Sequence, residues 1–222
     1  MSTQVTTTSS CLIGLIDDDP GVRASLGMLL ETRCWPSAAF ESADAFLIQA
    51  DPTQFSCLII DVRMPGQSGL ELFEELNRRA AAGKRYLPPV LFLSGHGDIP
   101  MVVHALKQGA VDFLEKPVDH RTLFDAIGKA LRADKVARGE HDAQGELLRI
   151  YQELTPRERE VLHEILNGYL NKQIADHLNI STKTVEAHRL RICHKFHVRT
   201  GMELAARFRD VPLKQFDAEQ SL

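Results

Sequence analysis

Five short apolar runs recur through the first half of the chain, each separated from the next by a stretch with helical spacing. The runs cover residues 11–16, about 34–39, 56–60, 89–93 and 111–114, and the helical patterns cover about 21–32, 42–50, 69–82, 98–108 and 119–132. Strands divided in this way by amphipathic helices are best buried in a parallel sheet covered on both faces. The expected fold class is therefore α/β, a doubly wound five-stranded parallel sheet. Pro36 falls in the second run, where it removes a ladder donor, and that is tolerated only at a sheet edge. The flavodoxin-like order 2-1-3-4-5 puts the second strand at an edge.

Polar residues gather where these runs end. Asp17-Asp18-Asp19 follows residues 11–16, Asp61 follows Cys57-Leu58-Ile59-Ile60, and Lys116-Pro117 follows Val111-Asp112-Phe113-Leu114. If the strands lie parallel, carboxylates and one ammonium converge at the carboxyl edge of a single sheet, where open α/β folds place their ligands. Carboxylate oxygens suit Mg²⁺, and a lone Asp at such an edge suits a phosphoryl acceptor.

The strand ends resemble the receiver domain of two-component response regulators. The resemblance rests on Ile16-Asp17-Asp18-Asp19-Pro20 with Arg23, Asp61-Val62-Arg63-Met64-Pro65-Gly66, Leu93-Ser94-Gly95-His96-Gly97-Asp98 and Val111-Asp112-Phe113-Leu114-Glu115-Lys116-Pro117. The wording of the last two is most similar to the FixJ branch. It implies that Asp61 takes a phosphoryl group from a sensor histidine kinase. By the same resemblance, Mg²⁺ is held by Asp18 and Asp61, by Asp17 largely through water, and by the backbone carbonyl of Arg63. Lys116 and Ser94 are expected to contact the phosphoryl oxygens, and Ser94 with Phe113 to form the switch that remodels the family's dimer surface. Asp19 is expected to cap a helix, Lys116-Pro117 to be the family's cis peptide, and His96 either to affect phosphoaspartate hydrolysis or to be a plain loop residue.

A second pattern starts at Thr155-Pro156-Arg157-Glu158, where Thr155 caps, Pro156 suits the first helical position and Glu158 completes a capping box. This helix is expected to stop near Asn167-Gly168. A short helix from about Asn171 to Leu178, a turn at Asn179-Ile180-Ser181 and a third helix from about Thr182 to Phe196 follow. Val185, Ile192 and Phe196 would face a core, and the opposite stripe is Lys183, Glu186, Ala187, Leu190 and His194, so the arrangement reads as a helix-turn-helix. Leu154 to Leu162, Asn171-Lys172-Gln173-Ile174-Ala175 and Ile180 to Arg189 resemble the four-helix output domain of LuxR and NarL-type regulators. Lys172, Arg189 and Arg191 are candidates for phosphate contacts. Lys183, Thr184, Glu186 and Ala187 are candidates for base edges, with His188 in the same DNA-binding set. His188, His194 and His197 lack a cysteine partner at zinc-finger spacing.

With 222 residues, 44% of them hydrophobic, two domains are the expectation. They are a receiver over 10–131 and an output domain over 149–210, joined by a linker at 132–148 and followed by a tail at 211–222. The linker is charged, bears glycine and has no apolar period, and its start is open to a continuation of the preceding helix. The net charge of −4 conceals an asymmetry: residues 1–131 carry 11 basic against 16 acidic residues, and residues 151–209 carry 10 against 7. The second half is thus mildly basic, a weak pointer to nucleic acid.

No apolar run approaches the roughly 20 residues that span a bilayer, residues 1–10 lack a signal-peptide pattern, and the four cysteines have no paired spacing. The expectation is a cytoplasmic protein with no membrane partner, whose only catalysis is its own phosphorylation and dephosphorylation. Its partners would be a histidine kinase, double-stranded promoter DNA, a second copy of itself after phosphorylation, and RNA polymerase as a further candidate. Two rivals differ in class. An Asp-nucleophile phosphohydrolase of the haloacid-dehalogenase type resembles an Asp-x-Asp pattern, whereas position 63 is Arg here. The other is a phosphorylation switch whose output is protein or RNA.

Overall fold

The computed structural model describes residues 11–83, 85–95 and 99–209, and the chain forms two compact units divided after Gly139. His96 and the tail expected at 211–222 lie outside the described residues. In the first unit β1 (Ile13–Ile16), β2 (Ser37–Phe40), β3 (Cys57–Asp61), β4 (Val90–Ser94) and β5 (Asp112–Glu115) form one parallel sheet in the order β2-β1-β3-β4-β5. Pro36 stands just before β2, which is an edge strand, and its carbonyl accepts from the Ile13 N–H at 2.9 Å.

The inner strands β1, β3 and β4 are apolar along nearly their whole length because both faces are covered. Leu58, Ile60, Val90 and Phe92 pack with α2 (Ala43–Gln49), α3 (Gly69–Gly83) and Ala105 of α4 (Ile99–Lys107). Ile13, Leu15, Ile59, Leu91 and Leu93 pack with α1 (Pro20–Glu31) and with Leu123, Ala126, Ile127 and Ala130 of α5 (His120–Gln152). Successive strand residues point to opposite faces, which explains the two clusters.

Residues 132–148, expected to be a linker that extends the preceding helix at most at its start, are helical throughout within α5. The segment holds no proline and is rich in Ala, Arg, Lys, Glu and Gln, residues of high helix propensity. Its start is also bound to the rest of the first unit. Tyr86 donates its hydroxyl to Asp134 at 2.6 Å, and Arg138 reaches Asp134 at 3.0 Å. Arg138 also donates to the carbonyls of Thr53 and Phe55, both at 2.8 Å, and lies 4.4 Å from the centroid of the Tyr86 ring. Asp134 is buried, a position that a carboxylate takes only when it is paired.

The second unit consists of the end of α5 with α6 (Pro156–Leu166), α7 (Asn171–Leu178), α8 (Thr182–Lys195) and α9 (Gly201–Arg207). Its core holds Tyr151, Val161, Leu162, Ile174, Val185, Ile192, Phe196 and Leu204. The capping box at Thr155 is formed: the Glu158 N–H donates to Thr155 Oγ1 at 3.3 Å and the Thr155 N–H to Glu158 Oε2 at 2.9 Å. Asn179 takes a left-handed conformation (φ 51°) and Ser181 caps α8. Among the described residues no helix is long and apolar enough to cross a membrane.

Candidate phosphoacceptor site and nucleic-acid interface

Register brings the candidate residues to one edge of the sheet. Ile16 pairs with Ile60, Asp61 with Leu93, and Ser94 with Glu115, so Asp17, Asp61, Ser94 and Lys116 emerge together at the carboxyl ends of β1, β3, β4 and β5. Lys116 Nζ donates to Asp17 Oδ2 at 2.6 Å and to Asp61 Oδ1 at 2.5 Å. The second oxygens are also committed: Asp17 Oδ1 accepts from the Asp19 N–H at 2.9 Å, and Asp61 Oδ2 from the Arg63 N–H at 2.7 Å. Asp17, Asp61 and Ser94 are buried. Lys116-Pro117 is a cis peptide.

Burial pushes the Asp61 carboxyl above the ordinary Asp value, outweighing the Lys116 bonds that pull it down. Burial alone would lower Lys116, but its bonds to Asp17 and Asp61 hold the ammonium above its usual value. The site therefore keeps a protonated lysine between two acids at neutral pH.

The three acids of the first loop divide their work. Asp19 accepts from the Gly21 and Val22 N–H groups at 2.7 and 3.3 Å, capping α1 as expected. Asp18 is exposed, and its carboxylate makes no hydrogen bond or ion pair with the described residues. Among these residues no three His, Cys, Asp or Glu side chains surround a common centre, and Lys116 takes one oxygen from each of Asp17 and Asp61. Mg²⁺ usually takes only one or two carboxylates, with other oxygens filling its shell. The uncommitted Asp18, with Asp61 and the Arg63 carbonyl, makes an all-oxygen donor set that fits it.

Phe113, in β5, is half-buried with its ring centroid 6.1 Å from that of Phe92. A residue not singled out from the sequence, Gly69, begins α3 against the end of β3. A Cβ at position 69 would lie 2.1 Å from the Asp61 carbonyl oxygen, so only glycine lets the helix come this close.

On the second unit, Lys172, Lys183, Thr184, Glu186, Ala187 and Arg191 are exposed. The Thr184 hydroxyl is already joined to Ser181 Oγ at 2.7 Å. Leu190, on the same face, is 74% exposed. Arg189 is half-buried, and a Cβ at position 201 would lie 2.5 Å from its Nη2, so Gly201 admits the guanidinium. His188 is, like Arg189, only partly exposed. Its ring is half-buried and its Nδ1 is shielded, with no hydrogen-bond partner among the described residues. It lies three residues after Val185 and four before Ile192, both fully buried, and so shares the core flank of α8 rather than the outer stripe.

Residues 13–128 match the response regulator receiver domain model, and residues 152–208 match the model for bacterial regulatory proteins of the luxR family. The chain is 41% identical over 192 residues to the transcriptional regulatory protein FixJ of Azorhizobium caulinodans, covering 86% of this chain and 89% of that one. It belongs to the response regulators. This response regulator is also 40% identical to the response regulator protein TodT of Pseudomonas putida, over 87% of its own length and 83% of TodT. The solved structure of the response regulator StyR superposes with a TM-score of 0.75 at 38% identity, covering 89% of this chain and 98% of StyR. The family acts as phosphorylation-dependent regulators of transcription, and the receiver is joined here to a LuxR-type DNA-binding domain.

The output domain of this response regulator holds one further pair invisible from spacing. The Glu158 carboxylate, which closes the capping box, also accepts from Lys195 Nζ at 2.8 Å. That bond ties the start of α6 to the last turn of α8.

Proposed function

We propose that Asp61 is the phosphoryl acceptor, that phosphorylation promotes dimerisation, and that the dimer binds promoter DNA through α8. The observation that carries this reading is the double ion pair from Lys116 to Asp17 and Asp61 at 2.6 and 2.5 Å, at the carboxyl edge of the sheet. In the reaction an Asp61 oxygen forms a bond to phosphorus while the bond from phosphorus to the donor nitrogen of a phosphohistidine breaks. Lys116, released from Asp61, pairs with a phosphoryl oxygen, and the Ser94 hydroxyl donates to another. Asp18, Asp61 and the Arg63 carbonyl would hold Mg²⁺ directly, with Asp17 acting largely through water; bound there, the ion neutralises charge on the transferring group.

Ser94, once turned toward the phosphoryl group, makes room for Phe113 to rotate inward. That movement reshapes the face of α4 and β5, where Val103 and Leu106 are already 42% and 44% exposed. A kinase as donor, duplex DNA as target and RNA polymerase as the downstream contact follow from this role in the cytoplasm. Lys183, Glu186 and Ala187 are assigned to base edges, and Lys172, Arg189 and Arg191 to phosphates. Sedimentation and duplex titration, with and without beryllofluoride and Mg²⁺, test the coupling. The expected result is dimerisation with tighter binding to paired half-sites about 10 base pairs apart, both weakened in Ser94→Ala. Dimerisation of Ser94→Ala at the wild-type level would remove Ser94 from the relay.

A further inference from the structure

Arg23 lies in the first turns of α1, where a cation opposes the helix dipole and where the first turn carries no acidic residue. Its side chain crosses back over the β1–α1 turn, and Nη1 donates to the backbone carbonyl of Asp17 at 2.6 Å. Among the described residues it forms no ion pair with a carboxylate, although three aspartates stand within six residues of it. The guanidinium is thus spent on the peptide joining Asp17 to Asp18.

The loop is braced on either side of Asp18. Asp17 is held through its side chain by Lys116 at 2.6 Å and the Asp19 N–H at 2.9 Å, and through its carbonyl by Arg23. Asp19 is held by the two N–H groups that it caps, and its own carbonyl accepts from the Arg23 N–H at 3.1 Å. Asp18, between them, keeps its carboxylate uncommitted among the described residues. The 17–18 peptide is rigid and planar, so a hydrogen bond that holds the Asp17 carbonyl also holds the Asp18 N–Cα bond about which φ turns. With that bond held on one side and Asp19 held on the other, the directions open to the Asp18 side chain are narrowed.

We infer that Arg23 is a positioning residue, which aims Asp18 at the Mg²⁺ site by holding the Asp17 carbonyl. The inference rests on the Mg²⁺ site proposed above and adds a residue outside the set of ligands. Partners of this kind in the outer shell of a metal site are worth about 10- to 100-fold in affinity. A competing effect has the opposite sign. Arg23 also places a positive charge near the acids, so if charge were all that mattered, its removal would tighten cation binding.

Calorimetric titration of the full chain with Mg²⁺ alone separates the two. Arg23→Ala and Arg23→Gln should each raise the Kd by about 10-fold or more. Arg23→Lys, which keeps the charge and one donor, should recover part of the loss. Melting curves in chelator check that the variants fold, and Arg23→Gln keeps most of the apolar stem should Arg23→Ala fail to do so. An unchanged or lower Kd in the neutral variants overturns the inference while leaving the Mg²⁺ site standing. A wild-type chain that takes up no Mg²⁺, or an Asp61→Asn variant that binds it as the wild type does, would remove the underlying site instead.

Discussion

Arg138→Ala perturbs a group of contacts whose loss can be counted. The substitution removes the 3.0 Å ion pair to Asp134, two 2.8 Å bonds to the carbonyls of Thr53 and Phe55, and the contact over the Tyr86 ring. Water can replace the bonds to the carbonyls. It cannot easily replace the partner of Asp134, which is only 6% exposed and keeps, among the described residues, the Tyr86 hydroxyl. Removing one partner of a buried ion pair costs about 3–5 kcal/mol. The Arg138 side chain is itself 31% exposed, so the lower end, about 3 kcal/mol, is expected. The single tryptophan, Trp35, packs edge-on against Phe124 in the receiver unit, so its emission during urea unfolding of the full chain reports on that unit alone. Asp134→Ala/Arg138→Ala should be less destabilised than the sum of the single variants, by about 1 kcal/mol or more. A loss below about 0.5 kcal/mol for Arg138→Ala, the level of an ordinary surface change, would refute the view that this cluster anchors α5.

Gly69→Ala should displace the Asp61 backbone, because the new Cβ would meet the Asp61 carbonyl at 2.1 Å; a lowered receiver midpoint by Trp35 emission and slower phosphoryl uptake are expected. Glu158 gives the output domain an acid-sensitive element. Burial alone would raise its carboxyl, but the Lys195 bond and the Thr155 N–H and hydroxyl hold it below the ordinary Glu value. A lowered folded pKa adds stability that is complete above the unfolded value of about 4.3 and is lost as pH falls through the folded value. Helical circular dichroism from pH 6 downward, in roughly half-unit steps, should show that Glu158→Gln is less stable at neutral pH and less sensitive to acid. On DNA, Arg189→Ala should weaken all sequences alike and reduce the salt slope by about one unit. Glu186→Ala should relax preference at one base pair by about 1–3 kcal/mol, and titrations on matched and mismatched duplexes at several salt concentrations check both.

The sheet and its order were legible because the inner strands β1, β3 and β4 are apolar runs ended by a polar residue, and because Pro36 marks an edge. Asp61 and Lys116 were legible for the same reason: parallel strands bring their carboxyl ends together whatever lies between them. The helical path of residues 132–148 was not, because apolar period reports a buried face rather than a helix, and this stretch is held by Asp134 and Arg138, which are polar. Gly69 was missed because the need for glycine there comes from Asp61, eight positions earlier and on another element. His188 could have been placed from the sequence, since its spacing from Val185 and Ile192 already put it on the core side of α8. The bond from Arg23 to the Asp17 carbonyl left no trace in spacing at all.

Intact mass after incubation with acetyl phosphate and Mg²⁺ tests the central assignment most directly. The wild-type chain should gain one phosphoryl group, and neither Asp61→Asn nor the wild type in chelator should gain it. An adduct that persists in Asp61→Asn, or forms equally when Mg²⁺ is chelated, would contradict Asp61 as the acceptor in a magnesium-dependent site.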